Sequence, residues 1–187
     1  MNRWKIAFFS LIALLLLLLI GGGIWINQQL PDASAEPFDR PAVDTVEGPS
    51  FTVTTTREDL NSWLQQELQG ENQEFDITID EAVYFQTELA LFGVSIPVEM
   101  TLVPEVTEEG NLWLLEDSFR VASFELPSEQ VFALIESTVD LPEWITVAQN
   151  ERGFYVDIVN GVSEDFQIQV ESLDLEQNDI ELLITSK

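Results

Sequence analysis

Carboxylates are the commonest reactive groups in this chain, with 34 Asp and Glu against 7 Lys and Arg, and there is no histidine and no cysteine. Two acids at a suitable separation can hydrolyse a glycoside. Glu116 and Asp117 are chain neighbours, however, and in a strand they point to opposite faces. Asp174, Glu176 and Asp179 offer the oxygens calcium takes, but they lack the glycine and the ligand spacing of an EF-hand loop and read as a solvated turn. Ser118, Ser123 and Ser128 sit in no nucleophile-elbow pattern, and no histidine is present to accept a serine proton. The lack of cysteine removes disulfides, thiolate metal sites, a thiol nucleophile and a lipidated cysteine anchor. Arg120 reads as a salt-bridged strand residue. We therefore expect no enzyme, no cofactor and no metal site.

A formal charge of −27 repels phosphates and anionic headgroups, which excludes electrostatic nucleic-acid binding. The charge reads as solubility in a salty or alkaline exterior. All the acidic residues lie beyond Ile26, whereas Ile6 to Ile26 (IAFFSLIALLLLLLIGGGIWI) carries no charge. That run is long enough to cross a bilayer core of about 30 Å as a helix. Arg3 and Lys5 precede it, so residues 1–5 are expected in the cytoplasm and the remainder outside the cell membrane. The rival reading is a cleaved signal peptide, with Ala33-Ser34-Ala35 as the small-x-small site.

Residues 27–50 hold Pro31, Pro37, Pro41 and Pro49 without apolar periodicity, and read as an extracytoplasmic linker. As a coil it would span roughly 27 Å, and about 80 Å at full extension. Residues 51–187 make one domain, expected to be α+β: a long-stranded, curved, mainly antiparallel sheet with two short amphipathic helices. The first helix follows a capping-box spacing at Thr55 and Glu58, places Leu60, Trp63, Leu64 and Leu68 on one face, and stops at Gly70. The second runs from Ser128 to Val139, with Val131, Phe132, Leu134 and Ile135 inward.

Between them Phe75, Ile77, Ile79, Val83, Phe85, Leu89 and Leu91 occupy odd positions, which predicts one long strand interrupted at Glu81. After Gly93 the apolar positions become even, Val94, Ile96, Val98, Met100 and Leu102, which predicts a hairpin return with Pro97 at a bulge, bend or edge. A third strand follows the Glu108–Asn111 turn and ends near Phe124. Further strands are expected over Ile145–Ala148, Phe154–Val159, Phe166–Val170 and Ile180–Ile184, with turns at Asn150–Gly153 and Gln177–Asp179. Trp63, Trp113 and Trp144 read as core aromatics.

The expected site comes from a mismatch of lengths. A strand from Phe75 to Leu91 would extend about 56 Å, whereas the first helix covers about 20 Å. Either the sheet curls over its own apolar face or part of that face stays available. The candidate apolar groove comprises Phe75, Ile77, Ile79, Val83, Phe85, Leu89, Leu91, Ile96, Val98 and Met100. It would bind a lipid or other apolar small molecule, or else dock a protein of the cell envelope.

The stretches TREDLNSWL, LFGVSIPVEMTLVPEVTEEGNLWL, SFELPSEQVFALI, LPEWITV and LDLEQNDIELLI, with the anchor and linker before them, resemble the YpmS-like family of Gram-positive bacteria. The resemblance covers almost the whole chain and implies a single-pass membrane protein with an extracytoplasmic domain. It supplies no catalytic residues. Ser123 stands where the resemblance leads us to expect a glycine. At the level of fold alone, the leading helix and long curved strands look like tubular lipid-binding (TULIP-like) domains, an analogy that does not fix function.

Overall fold

The structure, a computed structural model, describes residues 3–29, 38–43, 46, 48–68, 74–91, 94–121, 126–163 and 165–187. Residues 1–32 and 33–187 form two compact units. In the first, α1 (Arg3–Gln29) is a continuous 27-residue helix. Its backbone is helical through the whole uncharged run, and side chains are described from Phe8 to Gly22 and at Ile24. Among the described residues no helix is long and apolar enough to cross a membrane. The span over Ile6 to Ile26 therefore rests on the sequence.

The second unit is α+β with two antiparallel sheets. One has three strands, β1 (Ser50–Thr55), β9 (Asp179–Ser186) and β8 (Phe166–Asp174), in that spatial order. The other has six: β2 (Phe75–Ile79), β3 (Val83–Leu91), β4 (Val94–Val106), β5 (Leu112–Val121), β7 (Gly153–Val156) and β6 (Ile145–Ala148). Among the described residues three helices complete it: α2 (Arg57–Glu67), α3 (Ser128–Thr138) and the single turn α4 (Ile158–Gly161).

Several expectations change. Phe75 to Leu91 is a hairpin, not one strand. Asp80 to Ala82 turn the chain back, the Asp80 N–H donating to the Ala82 carbonyl at 2.9 Å, and Ile79 pairs with Val83. A turn of three residues returns odd positions opposite odd positions, so the alternation continues through the reversal. The next hairpin, β3 to β4, has the expected register, with Leu91 opposite Val94. Pro97 pairs with Glu88 on one side, and β5 begins its pairing at Val98, so Pro97 sits where β4 is locally an edge. The bulge in this region lies instead between Thr101 and Leu102.

β1 occupies residues expected to lead directly into the first helix. Thr55 pairs with Ile180 in that strand, so the helix cap moves to Thr56, whose Oγ1 accepts the Asp59 N–H. The strand expected over Phe154–Val159 stops at Val156, where Asp157 caps α4 through the Asn160 N–H. Left-handed Arg152 and Asn178 mark the two expected turns. The expected stops at Gly70 and Phe124, the turn glycine Gly93, and Ser123 lie outside the described residues.

Candidate apolar cavity

The inner face of the six-stranded sheet is covered in two halves. Over one half lies α3, whose Phe132 meets Phe154 edge-on at 5.3 Å. Phe154 in turn contacts Phe85 at 5.2 Å, and Phe85 stacks on Phe75 at 5.8 Å. Leu89, Phe132 and Ile135 are each 0% exposed. This half is packed like any protein interior.

Over the other half lies the three-stranded sheet, and the two surfaces do not close. Between them is a cavity of about 400 Å³. Val53, Ile168, Val170, Ile180 and Leu182 line it from the three-stranded sheet, and Ile77, Ile79, Val83, Leu112, Leu114 and Val156 from the six-stranded one. Leu60, Trp63 and Leu64 of α2 close one side. Trp144, Ile158 and Val162 close another. The register explains the apolar wall: Val53, Leu182 and Val170 lie abreast across the small sheet, as do Thr55, Ile180 and Leu173. Polar residues at the wall are Thr55 and Asp59, and no Lys or Arg lines it among the described residues.

Polar contacts tie the small sheet to α2 and to the β4–β5 turn of the large sheet. Asn178, at φ 55 in the β8–β9 turn, accepts from the Arg57 backbone N–H at 2.7 Å and from its Nε at 3.3 Å, and donates to Glu58 Oε2 at 3.1 Å. On the β4–β5 turn, the Gly110 carbonyl accepts from the Val170 N–H at 2.9 Å. Gly110 has φ 89, and a Cβ there would fall 2.6 Å from Gln169 Cβ, so only glycine permits this approach. Near Trp144, a Cβ on Gly161 would lie 2.3 Å from Trp144 Cβ, which fixes α4 hard against that part of the wall. Asn111 is fully buried, its Nδ2 donating to the Tyr155 hydroxyl at 2.8 Å and its Oδ1 accepting from the Val159 N–H at 2.9 Å.

Of the ten residues expected to form a groove, Ile77, Ile79 and Val83 line the cavity. Phe75, Phe85, Leu89, Ile96, Val98 and Met100 are buried but do not line it. Those six lie on the half of the sheet that α3 covers, Ile96 opposite Leu89 and Met100 opposite Phe85. Leu91 ends β3, and its side chain lies outside the described residues. Seven of the cavity residues not anticipated come from β1, β8 and β9, whose pairing into a separate sheet no local pattern announces.

The other sites raised by the sequence resolve simply. Arg120 pairs with Glu99 at 3.2 Å on the surface. Asp174 caps its own turn, accepting from the Gln177 N–H at 2.8 Å. Glu116 accepts from the Ser128 hydroxyl at 3.0 Å, and Asp117 is exposed. Trp63 and Trp144 line the cavity, while Trp113 lies on the outer face of β5. Phe38 packs there edge-on to Trp113 at 5.4 Å and against Tyr155 at 4.9 Å, and the Arg40 guanidinium lies 5.9 Å from the Trp113 ring centre. Part of the expected linker is thus seated on the domain.

A family described as an uncharacterized protein conserved in bacteria, DUF2140, matches residues 2–186. The chain belongs to this family. Among its relatives is the uncharacterized protein YpmS of Bacillus subtilis (strain 168), 25% identical over 186 residues, covering 97% of this chain and 96% of the relative. No solved structure matches the chain. The match runs through both compact units, so helix α1 belongs to the family pattern together with the cavity-bearing domain.

Proposed function

We propose that this DUF2140 protein is a single-pass membrane protein whose extracytoplasmic domain binds an acyl chain or similar apolar ligand without chemical turnover. The observation that carries the reading is the cavity between the two sheets. Its volume of about 400 Å³ falls within the usual range for small-molecule sites. Water is a poor filler, because it needs several polar partners that these walls do not offer. An apolar ligand would take these walls out of contact with water.

The uncharged run Ile6 to Ile26, with Arg3 and Lys5 before it, supports an anchor with its N-terminus in the cytoplasm. Protease added outside intact protoplasts should then remove the domain and leave the anchor in the membrane. Protection of the domain would overturn that orientation, and mature protein beginning at Glu36 in the medium would establish a cleaved signal peptide instead. For the ligand, residues 33–187 purified without α1 should yield an apolar molecule in an organic extract read by mass spectrometry. A lipid-free domain that co-purifies with an envelope protein would replace ligand binding with a structural or regulatory role in an envelope complex.

A further inference from the structure

We infer, resting on the cavity reading above, that the ligand is an amphiphile whose polar end carries no negative charge. The walls are apolar apart from Thr55 and Asp59, so any charged head must lie near those two residues or in solvent. Asp59 is exposed and stays at the wall because the Thr56 hydroxyl donates to its Oδ2 at 3.1 Å while Thr56 Oγ1 accepts the Asp59 N–H at 3.3 Å. The cation nearest in sequence, Arg57, is already committed. Its Nη1 pairs with Asp80 at 2.8 Å and its Nε donates to Asn178 at 3.3 Å. A carboxylate or phosphate head would therefore meet one fixed negative charge, no free guanidinium at the wall, and the field of a chain of formal charge −27. A hydroxyl, an ester or an amine would not. An ammonium would gain from Asp59.

Four of the walls' own features make the test direct. Trp63 and Trp144 line the cavity and report contact with a brominated chain by quenching, while Leu182 and Val53 offer places to block it. Full-length protein in amphipol is titrated with three ligands of one brominated twelve-carbon chain ending in carboxylate, alcohol or ammonium. Each titration is repeated on Leu182→Phe, and the difference removes quenching of Trp4, Trp25 and Trp113. Val53→Phe, at a position 37% exposed, serves if Leu182→Phe does not fold. The expected order of affinity is ammonium, then alcohol, then carboxylate, with roughly tenfold between the extremes for one charge near the head. Asp59→Asn, which keeps both contacts to Thr56, should shrink that spread to about threefold or less. Equal affinity for all three heads, abolished in the blocked variant, would overturn the charge inference while leaving the cavity reading intact. Identical quenching in wild type and blocked variant would overturn the cavity reading itself.

Discussion

The two halves of the six-stranded sheet's inner face start from the same material and end differently. Under α3, the side chains Phe85, Leu89, Val98 and Met100 are at most 2% exposed and meet interlocking aromatic rings. Under the three-stranded sheet, Ile77 and Ile79 of the same hairpin face a cavity. α3 settles onto the sheet until its side chains interdigitate, with Ser128 bonded to Glu116 and Glu136 to Gln149 towards its two ends. The small sheet is tied by polar contacts, through Asn178 to α2 and through Val170 of β8 to the Gly110 carbonyl of the β4–β5 turn. Hydrogen bonds have set lengths, so they resist the last few ångströms of apolar collapse. Dense packing gives stability to one half, and the polar seams keep space open in the other.

The largest effect that would separate the halves is a truncation under α3. Phe132→Ala should cost about 3–5 kcal/mol, since a fully buried phenylalanine leaves a void its neighbours cannot close. Thermal melting would then fall by on the order of 10 °C. A loss below about 1 kcal/mol would mean that this half is no better packed than the other.

Enlarging a side chain gives a smaller but more pointed contrast. Leu89 is 0% exposed, and Leu89→Trp should cost about 1–3 kcal/mol through overpacking. Leu182→Phe projects into the cavity and should leave the melting temperature unchanged or raise it. Equal destabilisation by both substitutions would mean that the cavity side is closed in solution.

Leu89 and Ile79 show what the sequence could and could not tell. Leu89 and Ile79 look alike in sequence, since both are odd-numbered apolar residues in one alternating run. Alternation reports which face a residue takes, and a three-residue turn preserves it, so the reversal at Asp80–Ala82 left no trace in the period. The β3–β4 hairpin was legible because its turn shifts apolar positions from odd to even. The amphipathic faces of α2 and α3 were legible for the same reason, each being a local repeat. The cavity was not, because it depends on β1 pairing with β9, a contact between opposite ends of the domain. The absence of histidine and cysteine, by contrast, needed no structure to narrow the chemistry.

Cutting a seam should do less than disturbing the core. Asn178→Ala removes the acceptor for two Arg57 donors and the donor to Glu58, and places alanine at φ 55. A loss of about 2 kcal/mol is expected, part from the hydrogen bonds and part from the left-handed backbone. Hydrogen exchange should accelerate in β8 and β9 while the strands under α3 stay protected. Uniform acceleration across both sheets would show that the seam supports the whole domain and not one half of it.

The smallest effect is a pH dependence at that seam. The carboxyl of Glu58 is held below its ordinary range, first by its own backbone N–H and then by the Asn178 side chain. A lowered folded-state value means that Glu58 contributes stability above about pH 4.5, and that this contribution fades as pH falls through the folded value. Acid also discharges the other carboxylates of a strongly anionic chain, relieving self-repulsion and pushing stability the opposite way. The wild-type melting curve alone therefore mixes two trends. Glu58→Gln isolates one of them, because glutamine still accepts from Asn178 but does not titrate. Melting temperatures of the two proteins should differ most near pH 7 and converge as pH falls below about 4. A difference that stays constant down to pH 3 would mean that the charge on Glu58 does not hold the small sheet in place, and that the neutral bonds of Asn178 and Gly110 suffice.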